Sequence, residues 1–137
     1  DAPPRKYEAG TPNVEGAVGL AAALDYVERI GLAAIGAHEA ALLDYATARA
    51  GEIDGLRVIG TAREKGAILS FVMEGFTAQE VGTVLDRHGV AVRSGHHCAL
   101  PAMRRFGIEG TARASFALYN DREDVDQLIG ALQAVRR

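Results

Sequence analysis

The chain has 137 residues, of which 48% are hydrophobic and 24% charged, and its formal net charge is −3. These values are typical of one domain with a core of its own, and the weak charge and the scattered basic residues do not favour binding to nucleic acid or to a membrane. The single cysteine excludes an intrachain disulfide and favours a reducing compartment, expected to be the cytoplasm.

The chain is expected to be the C-terminal part of a longer protein. Residues 1–13 are interpreted as a lead-in segment and residues 14–137 as one domain. The start at Asp1 has neither an initiator methionine nor the apolar stretch of a signal peptide.

Two helices are predicted in the first fifty residues. Thr11 and Pro12 have the character of an N-cap and a first helical residue. The first helix is predicted to run from Val14 to about Gly31, where glycine is typical of a helix end. The second is predicted over residues 32–50. Its inner stripe is expected to comprise Ile35, Leu42, Leu43 and Ala46.

Four short strands are predicted in the rest of the chain, at residues 57–60, 67–73, 90–93 and 111–119. The second is almost continuously apolar, which predicts burial on both faces of the sheet. With the helices in between, the order is two helices and then strand, strand, helix, strand, strand, helix. This order predicts a two-layer α/β sandwich with a mixed or antiparallel sheet.

Two capping signals mark the later helices. Thr77 and Glu80 have the spacing of a capping box, and the helix they begin is predicted to end near His88. Asn120 and Glu123 are interpreted as the start of a final amphipathic helix. Its inner face is expected to comprise Val125, Leu128, Ile129, Leu132 and Val135.

The run from Arg93 to Pro101 places the only thiol, Cys98, beside two imidazoles and a guanidinium, where a strand is predicted to leave the sheet. The thiolate is the nucleophilic form of cysteine, and cationic neighbours favour it. A buried, inert cysteine is the alternative. A metal site is not expected, because consecutive side chains of an extended chain point to opposite faces and cannot easily chelate one ion.

Two other positions could bind anionic groups. Arg113 is predicted to share one strand face with Thr111 and Ser115, which leaves room for a carboxylate between small neighbours. An arginine on a solvated sheet face is the alternative. Gly10 and Thr11 precede a predicted helix, where free N–H groups and a hydroxyl can bind phosphate, although an ordinary cap explains them as well.

Four segments of this chain resemble SufS-type (group II) cysteine desulfurases, a group of the class V aminotransferase superfamily that includes selenocysteine lyases. They follow the order of that family and span nearly the whole chain. The segments are YEAGTPN from Tyr7, VAVRSGHHCALP from Val90, ARASFALYN from Ala112, and the closing helix with Val125 and Asp126.

The resemblance implies the small C-terminal domain of the pyridoxal-phosphate-dependent aminotransferase fold. It implies that Cys98 takes the sulfur of L-cysteine bound on pyridoxal 5'-phosphate, which leaves alanine and a persulfide, and that L-selenocysteine is an alternative substrate. Arg113 then corresponds to the clamp on the substrate carboxylate and Arg93 to a second positive group. Thr11 and the Gly10 backbone correspond to contacts with the cofactor phosphate of the other subunit of a homodimer.

The resemblance also implies an acceptor of SufE or SufU type that collects the sulfur for iron-sulfur cluster assembly. The family's cofactor lysine lies in a loop rich in serine and histidine, and neither Lys6 nor Lys65 has that context. The chain alone is therefore expected to be inactive. The rival interpretations are another class V aminotransferase-like enzyme, and a non-enzymatic α/β thiol-carrier or interaction module.

Overall fold

Within residues 1–135 the secondary structure comprises one four-stranded sheet and five α-helices. The computed structural model describes residues 1–135, so the last two residues of the predicted domain lie outside the described part. A turn of 3-10 helix at Arg5–Tyr7 precedes the main elements. These are α1 (Val14–Ile30), α2 (Leu32–Ala50), β1 (Leu56–Ile59), β2 (Ile68–Met73), α3 (Ala78–Arg87), β3 (Arg93–Gly95), α4 (Leu100–Phe106), β4 (Thr111–Ser115) and α5 (Arg122–Gln133).

The strands lie in the order β1-β2-β4-β3, and each neighbouring pair is antiparallel. This agrees with the predicted α/β sandwich. The chain divides into two units: the first is Asp1–Ile35, and the second, from Gly36 onward, contains the whole sheet.

One face of the sheet and the helices of the second unit enclose the core. Along β2 the fully buried Leu69 and Phe71 and the nearly buried Met73 alternate with more exposed residues. The prediction of burial on both faces is therefore wrong, because only one face of the antiparallel sheet is covered by helices in the described structure. The helical partners include Leu42, Leu43, Ala46, Val81, Leu85, Val125, Leu128, Ile129 and Leu132.

The first unit comprises the lead-in segment, α1 and the start of α2, and the cap of α1 differs from the prediction. Asn13, not Thr11, is the N-cap, and its Oδ1 accepts a hydrogen bond from Gly16 N at 2.8 Å. Both residues are good cap formers, so the sequence does not distinguish them. The apolar stripe of α1 is exposed in this structure, with Val18 66% and Leu24 54% accessible.

The start of α5 also differs from the prediction. Asp121 is the N-cap, and it forms a capping box with Asp124. Asn120 instead closes the preceding turn, because its side-chain oxygen accepts from Ala117 N at 2.9 Å and its backbone N–H donates to Ala117 O at 3.0 Å. This turn ends β4 at Ser115 instead of residue 119.

Two further differences lie on either side of the cysteine. β3 begins at Arg93 rather than at residue 90, because Val90 N donates to Leu85 O and so belongs to the end of α3. Helix α4 was not predicted, although its signals are present in the chain. Pro101 lies in the first turn of α4 and Gly107 ends it in the left-handed conformation. The capping box of Thr77 and Glu80 is confirmed.

Candidate functional site

Cys98 lies in a tight turn that joins β3 to α4, and it is exposed. The turn is closed by a hydrogen bond from Ala99 N to His96 O at 2.8 Å. Its two central residues have positive φ, 54° at His97 and 57° at Cys98. Left-handed backbone costs a non-glycine residue roughly 1–2 kcal/mol, so the surrounding structure must hold this turn in place.

The two histidines of the turn have different environments. His96 is exposed, and its Nδ1 accepts a hydrogen bond from Cys98 N at 3.0 Å. His97 is half-buried, and its Nε2 lies 3.1 Å from Thr111 O and 3.0 Å from Thr111 Oγ1. Burial lowers the pKa of His97, and the positive charges of Arg113 and Arg93 act in the same direction. We therefore describe His97 as a neutral imidazole.

Arg93 and Arg113 lie directly opposite each other on β3 and β4. Like charges in this position repel, which favours an anion between them. Arg113 Nε is buried and has no hydrogen-bond partner among the described residues. A carboxylate fits two guanidinium groups well, because each offers paired N–H donors.

Strand β3 packs closely against two glycines of neighbouring segments. A Cβ on Gly110 would lie 2.8 Å from the carbonyl carbon of Gly95 and 2.9 Å from its oxygen. A Cβ on Gly82 of α3 would collide with Ser94 Oγ. At Gly110 the close atoms belong to the backbone, so this position needs a residue without a side chain, whereas at Gly82 the Ser94 hydroxyl can rotate away. Gly95 stands only three residues before Cys98.

An open cavity of about 380 Å³ lies at the same end of the sheet, beside Gly95 and Gly110. Thr77 and Glu109 supply polar groups to its wall. None of the predicted site residues lines this cavity.

The structure places three of the predicted site residues on, or directly after, the neighbouring strands β3 and β4. Arg113 is on β4, Arg93 is on β3, and Cys98 follows β3 in the next turn. Gly10 and Thr11 belong to the first unit, ahead of α1, and both are exposed. Gly10 has a φ of 80°, and a side chain there would meet no atom within 4 Å.

Two residues that support the site were not predicted, namely Thr111 as the partner of His97 and Gly110 as the close neighbour of Gly95. Thr111 is 1% exposed and is paired with Gly95 in the sheet register. Fourteen residues separate His97 from Thr111. No pattern of neighbouring residues predicts a contact between residues so far apart in sequence. The only available signal was Gly110 itself, because a glycine next to a strand is typical of a close approach between backbones.

The two lysines lie apart from the cysteine turn in sequence, and the described residues form no metal-binding cluster. Lys65 is exposed, and its Nζ donates to Gly60 O at 3.2 Å, whereas Lys6 lies 5.2 Å from the centre of the Tyr7 ring. Within residues 1–135 no group of three or more His, Cys, Asp or Glu side chains is placed to hold a metal ion. In the same range no helix is long and apolar enough to cross a membrane.

Comparison with protein families and curated proteins gives consistent results. The family model described as aminotransferase class-V matches residues 1–128. The probable cysteine desulfurase 1 of Mycobacterium leprae is 53% identical over 133 residues, which are 97% of this chain and 22% of that protein. The cysteine desulfurase of Synechococcus elongatus is also 53% identical, over 97% of this chain and 21% of its own length. The chain spans 19% to 32% of the length of such relatives.

Solved structures show the same fold. The apo structure of a cysteine desulfurase from Thermococcus onnurineus superposes with a TM-score of 0.90 at 42% identity, over 99% of this chain and 34% of that one. The cysteine desulfurase CsdA from Escherichia coli, in an S-sulfonic acid form, gives a TM-score of 0.89 at 34% identity, over 98% of this chain and 33% of that one.

Proposed function

Since the chain belongs to the aminotransferase class-V family, we propose that it is the sulfur-accepting portion of a pyridoxal-phosphate-dependent cysteine desulfurase. The substrate is L-cysteine, and the products are alanine and a persulfide on Cys98; L-selenocysteine is an alternative substrate that gives up selenium instead of sulfur. The observation that carries this proposal is the pairing of Arg93 with Arg113 beside the turn that exposes Cys98.

The two arginines supply the substrate site. Arg113 binds the substrate carboxylate through its planar guanidinium, and the carboxylate offsets the repulsion between Arg113 and Arg93. A substrate held in this way presents its side-chain sulfur from a defined position. Orientation of this kind replaces a bimolecular encounter by a reaction within one complex.

Cys98 supplies the nucleophile. Its Sγ, as a thiolate, forms a bond to the substrate sulfur while the bond between that sulfur and the substrate β-carbon breaks. The sulfur thus moves to Cys98, and the carbon fragment takes up a proton and leaves as alanine. An exposed thiol in a short turn can then present the persulfide to an acceptor.

The cofactor fits this chain only in part. Pyridoxal phosphate acts as an electron sink that weakens bonds of a bound amino acid. Gly10 and Thr11 are open and exposed, and they are our candidates to bind the cofactor phosphate of a second subunit. Neither Lys6 nor Lys65 adjoins the arginine pair in sequence, and both are exposed. We therefore assign the covalent attachment of the cofactor to a lysine outside this sequence.

Several finer features belong to the same proposal. The full-length enzyme acts as a homodimer in the cytoplasm and passes sulfur to a protein of SufE or SufU type for iron-sulfur cluster assembly. The basis for these features is the SufS-like run around Cys98.

The proposal can be tested by replacing Cys98 with alanine or serine in the full-length protein that carries this chain. Both variants should lose sulfide release from cysteine, and both should retain the visible absorbance of the bound cofactor. Wild-type turnover in either variant would show that Cys98 is not the nucleophile. A protein that binds no cofactor but takes up sulfur from a persulfide donor would instead support the thiol-carrier interpretation.

A further inference from the structure

We infer that His97 is a positioning residue, whose imidazole ties the turn carrying Cys98 to strand β4. The inference deepens the proposed function and rests on it, because it names the group that holds the nucleophile in place. His97 itself is not expected to contact the substrate. It acts through the backbone of the turn.

The conformation of the turn requires support from outside it. Both His97 and Cys98 have positive φ, and neither is a glycine. An unconstrained chain would avoid this backbone region. The hydrogen bonds inside the turn, from Ala99 N to His96 O and from Cys98 N to His96 Nδ1, join groups that move together. They shape the turn, but they do not attach it to the sheet.

The contact between His97 and Thr111 does attach the turn to the sheet. His97 Nε2 lies 3.1 Å from Thr111 O, and a carbonyl oxygen can only accept, so Nε2 carries the hydrogen and donates. Thr111 Oγ1, at 3.0 Å from the same nitrogen, is a second acceptor within reach. Thr111 is a buried strand residue two positions before Arg113. The anchor of the thiol and the carboxylate clamp therefore share one strand.

The charge state of the imidazole is consistent with this contact. Burial lowers the pKa of His97, and Arg113, Arg93 and His96 add to that effect, while the hydrogen bond to Thr111 opposes it. A proton on Nε2 satisfies the carbonyl. It leaves Nδ1 unprotonated, so that no positive charge is placed beside the two arginines. Nδ1 is buried without a hydrogen-bond partner among the described residues, which agrees with a neutral ring whose position is set by Nε2.

The consequence concerns the distance between the nucleophile and the substrate. Arg113 and Arg93 are held by the strands, whereas Cys98 is held only by its turn. Loss of the anchor should thus leave substrate binding intact and displace the thiol. Displacement of a reacting group by about an ångström can lower a rate by up to roughly a hundredfold.

The experiment compares two amides of different reach, His97→Gln and His97→Asn, in the full-length protein. Glutamine places its amide nitrogen near the position of Nε2 and can donate to Thr111 O. Asparagine is too short to do so, but it tolerates positive φ better than histidine or glutamine. A role in backbone strain alone therefore favours asparagine, and a role as an anchor favours glutamine. His88→Ala is the matched control, since His88 Nδ1 contacts a carbonyl of its own helix at 2.9 Å, away from the turn.

We expect His97→Asn to lower kcat at least about tenfold while KM for cysteine changes less than about threefold, and His97→Gln to recover most of the loss. His88→Ala should change neither parameter. Equal kcat values for the asparagine and glutamine variants, or a loss that appears only in KM, would overturn the inference.

A second measurement does not depend on turnover. The imidazole 15N shifts of His97 in the 137-residue chain should show the neutral form protonated on Nε2, and the rate at which iodoacetamide alkylates Cys98 should change more in His97→Asn than in His97→Gln. If the wild-type full-length protein releases no sulfide while these results hold, the proposed function fails and the anchor stands. If the wild type is active but Nδ1 carries the proton, the anchor fails alone.

Discussion

Replacing Gly110 with alanine tests how closely the two strands of the site must approach each other. The new Cβ would lie 2.8 Å from the carbonyl carbon of Gly95, 2.9 Å from its oxygen and 3.1 Å from its Cα. These are backbone atoms, which cannot rotate away as a side chain can. The edge strand β3 would have to move, and it would carry the turn of Cys98 with it.

The size of the effect follows from two opposing contributions. Alanine in place of glycine restricts the unfolded chain and stabilises by about 0.4–1 kcal/mol where the site accepts it. Overpacking of a tight contact costs about 1–3 kcal/mol. Because the clash at Gly110 is with backbone, we expect a net loss of roughly 1–2 kcal/mol in the free energy of unfolding.

Two other glycines provide matched controls. Gly130 lies in α5, and a Cβ there would meet nothing within 4 Å, so Gly130→Ala should stabilise by about 0.5–1 kcal/mol. At Gly82 the clash is with the rotatable Ser94 hydroxyl, so Gly82→Ala should stay within roughly 0.5 kcal/mol of the wild type.

Urea denaturation of the chain and its three variants measures these differences directly. The expected order of stability is Gly130→Ala, then wild type and Gly82→Ala, then Gly110→Ala. The reasoning is refuted if Gly110→Ala is as stable as Gly130→Ala, because the strands would then have room for a methyl group.

Three further predictions concern charge and chemistry. Arg113→Lys should cost the full-length enzyme about 3–5 kcal/mol of the transition-state stabilisation that kcat/KM reports, nearly as much as Arg113→Ala, because lysine lacks the planar fork of the guanidinium. Arg57→Lys on the edge strand β1 is the control. A kcat/KM of Arg113→Lys within about threefold of the wild type would contradict the carboxylate clamp. Hydrogen bonds from the backbone and then the side chain of Thr77 hold the pKa of Glu80 below its ordinary value of 4.5, so Glu80 stabilises the fold above that pH and the contribution is lost on acidification. Glu80→Gln should flatten the fall of the urea midpoint below pH 4.5, and an unchanged pH profile would contradict this. When the chain is mixed with pyridoxal phosphate and reduced with borohydride, neither Lys6 nor Lys65 should carry close to one cofactor per chain. Mass spectrometry of tryptic peptides measures the labelled fraction of each lysine.

Much of the fold could be predicted because its determinants are local. The period of the apolar residues indicated α2 and the core face of α5, and the capping box of Thr77 and Glu80 is confirmed. Errors occurred where two residues close in sequence can both cap a helix, as at Asn13 and Thr11 or Asp121 and Asn120. There the choice depends on which side chain reaches a free N–H.

The candidate site divides in the same way. The sequence alone singled out Cys98, Arg93 and Arg113 by residue type and by a run that resembles one family. It could not supply the register that places Arg93 opposite Arg113, because pairing of strands depends on contacts between distant segments.

Only the tertiary structure decided how the cysteine is presented. The left-handed backbone at His97 and Cys98 costs free energy locally, so no local propensity predicts it. It persists in a fold where Gly110 lets β4 lie against Gly95 and where Thr111 accepts a hydrogen bond from His97. The proposed nucleophile was thus identified from the sequence, whereas its position depends on contacts across about fourteen residues, which no pattern of neighbouring residues encodes.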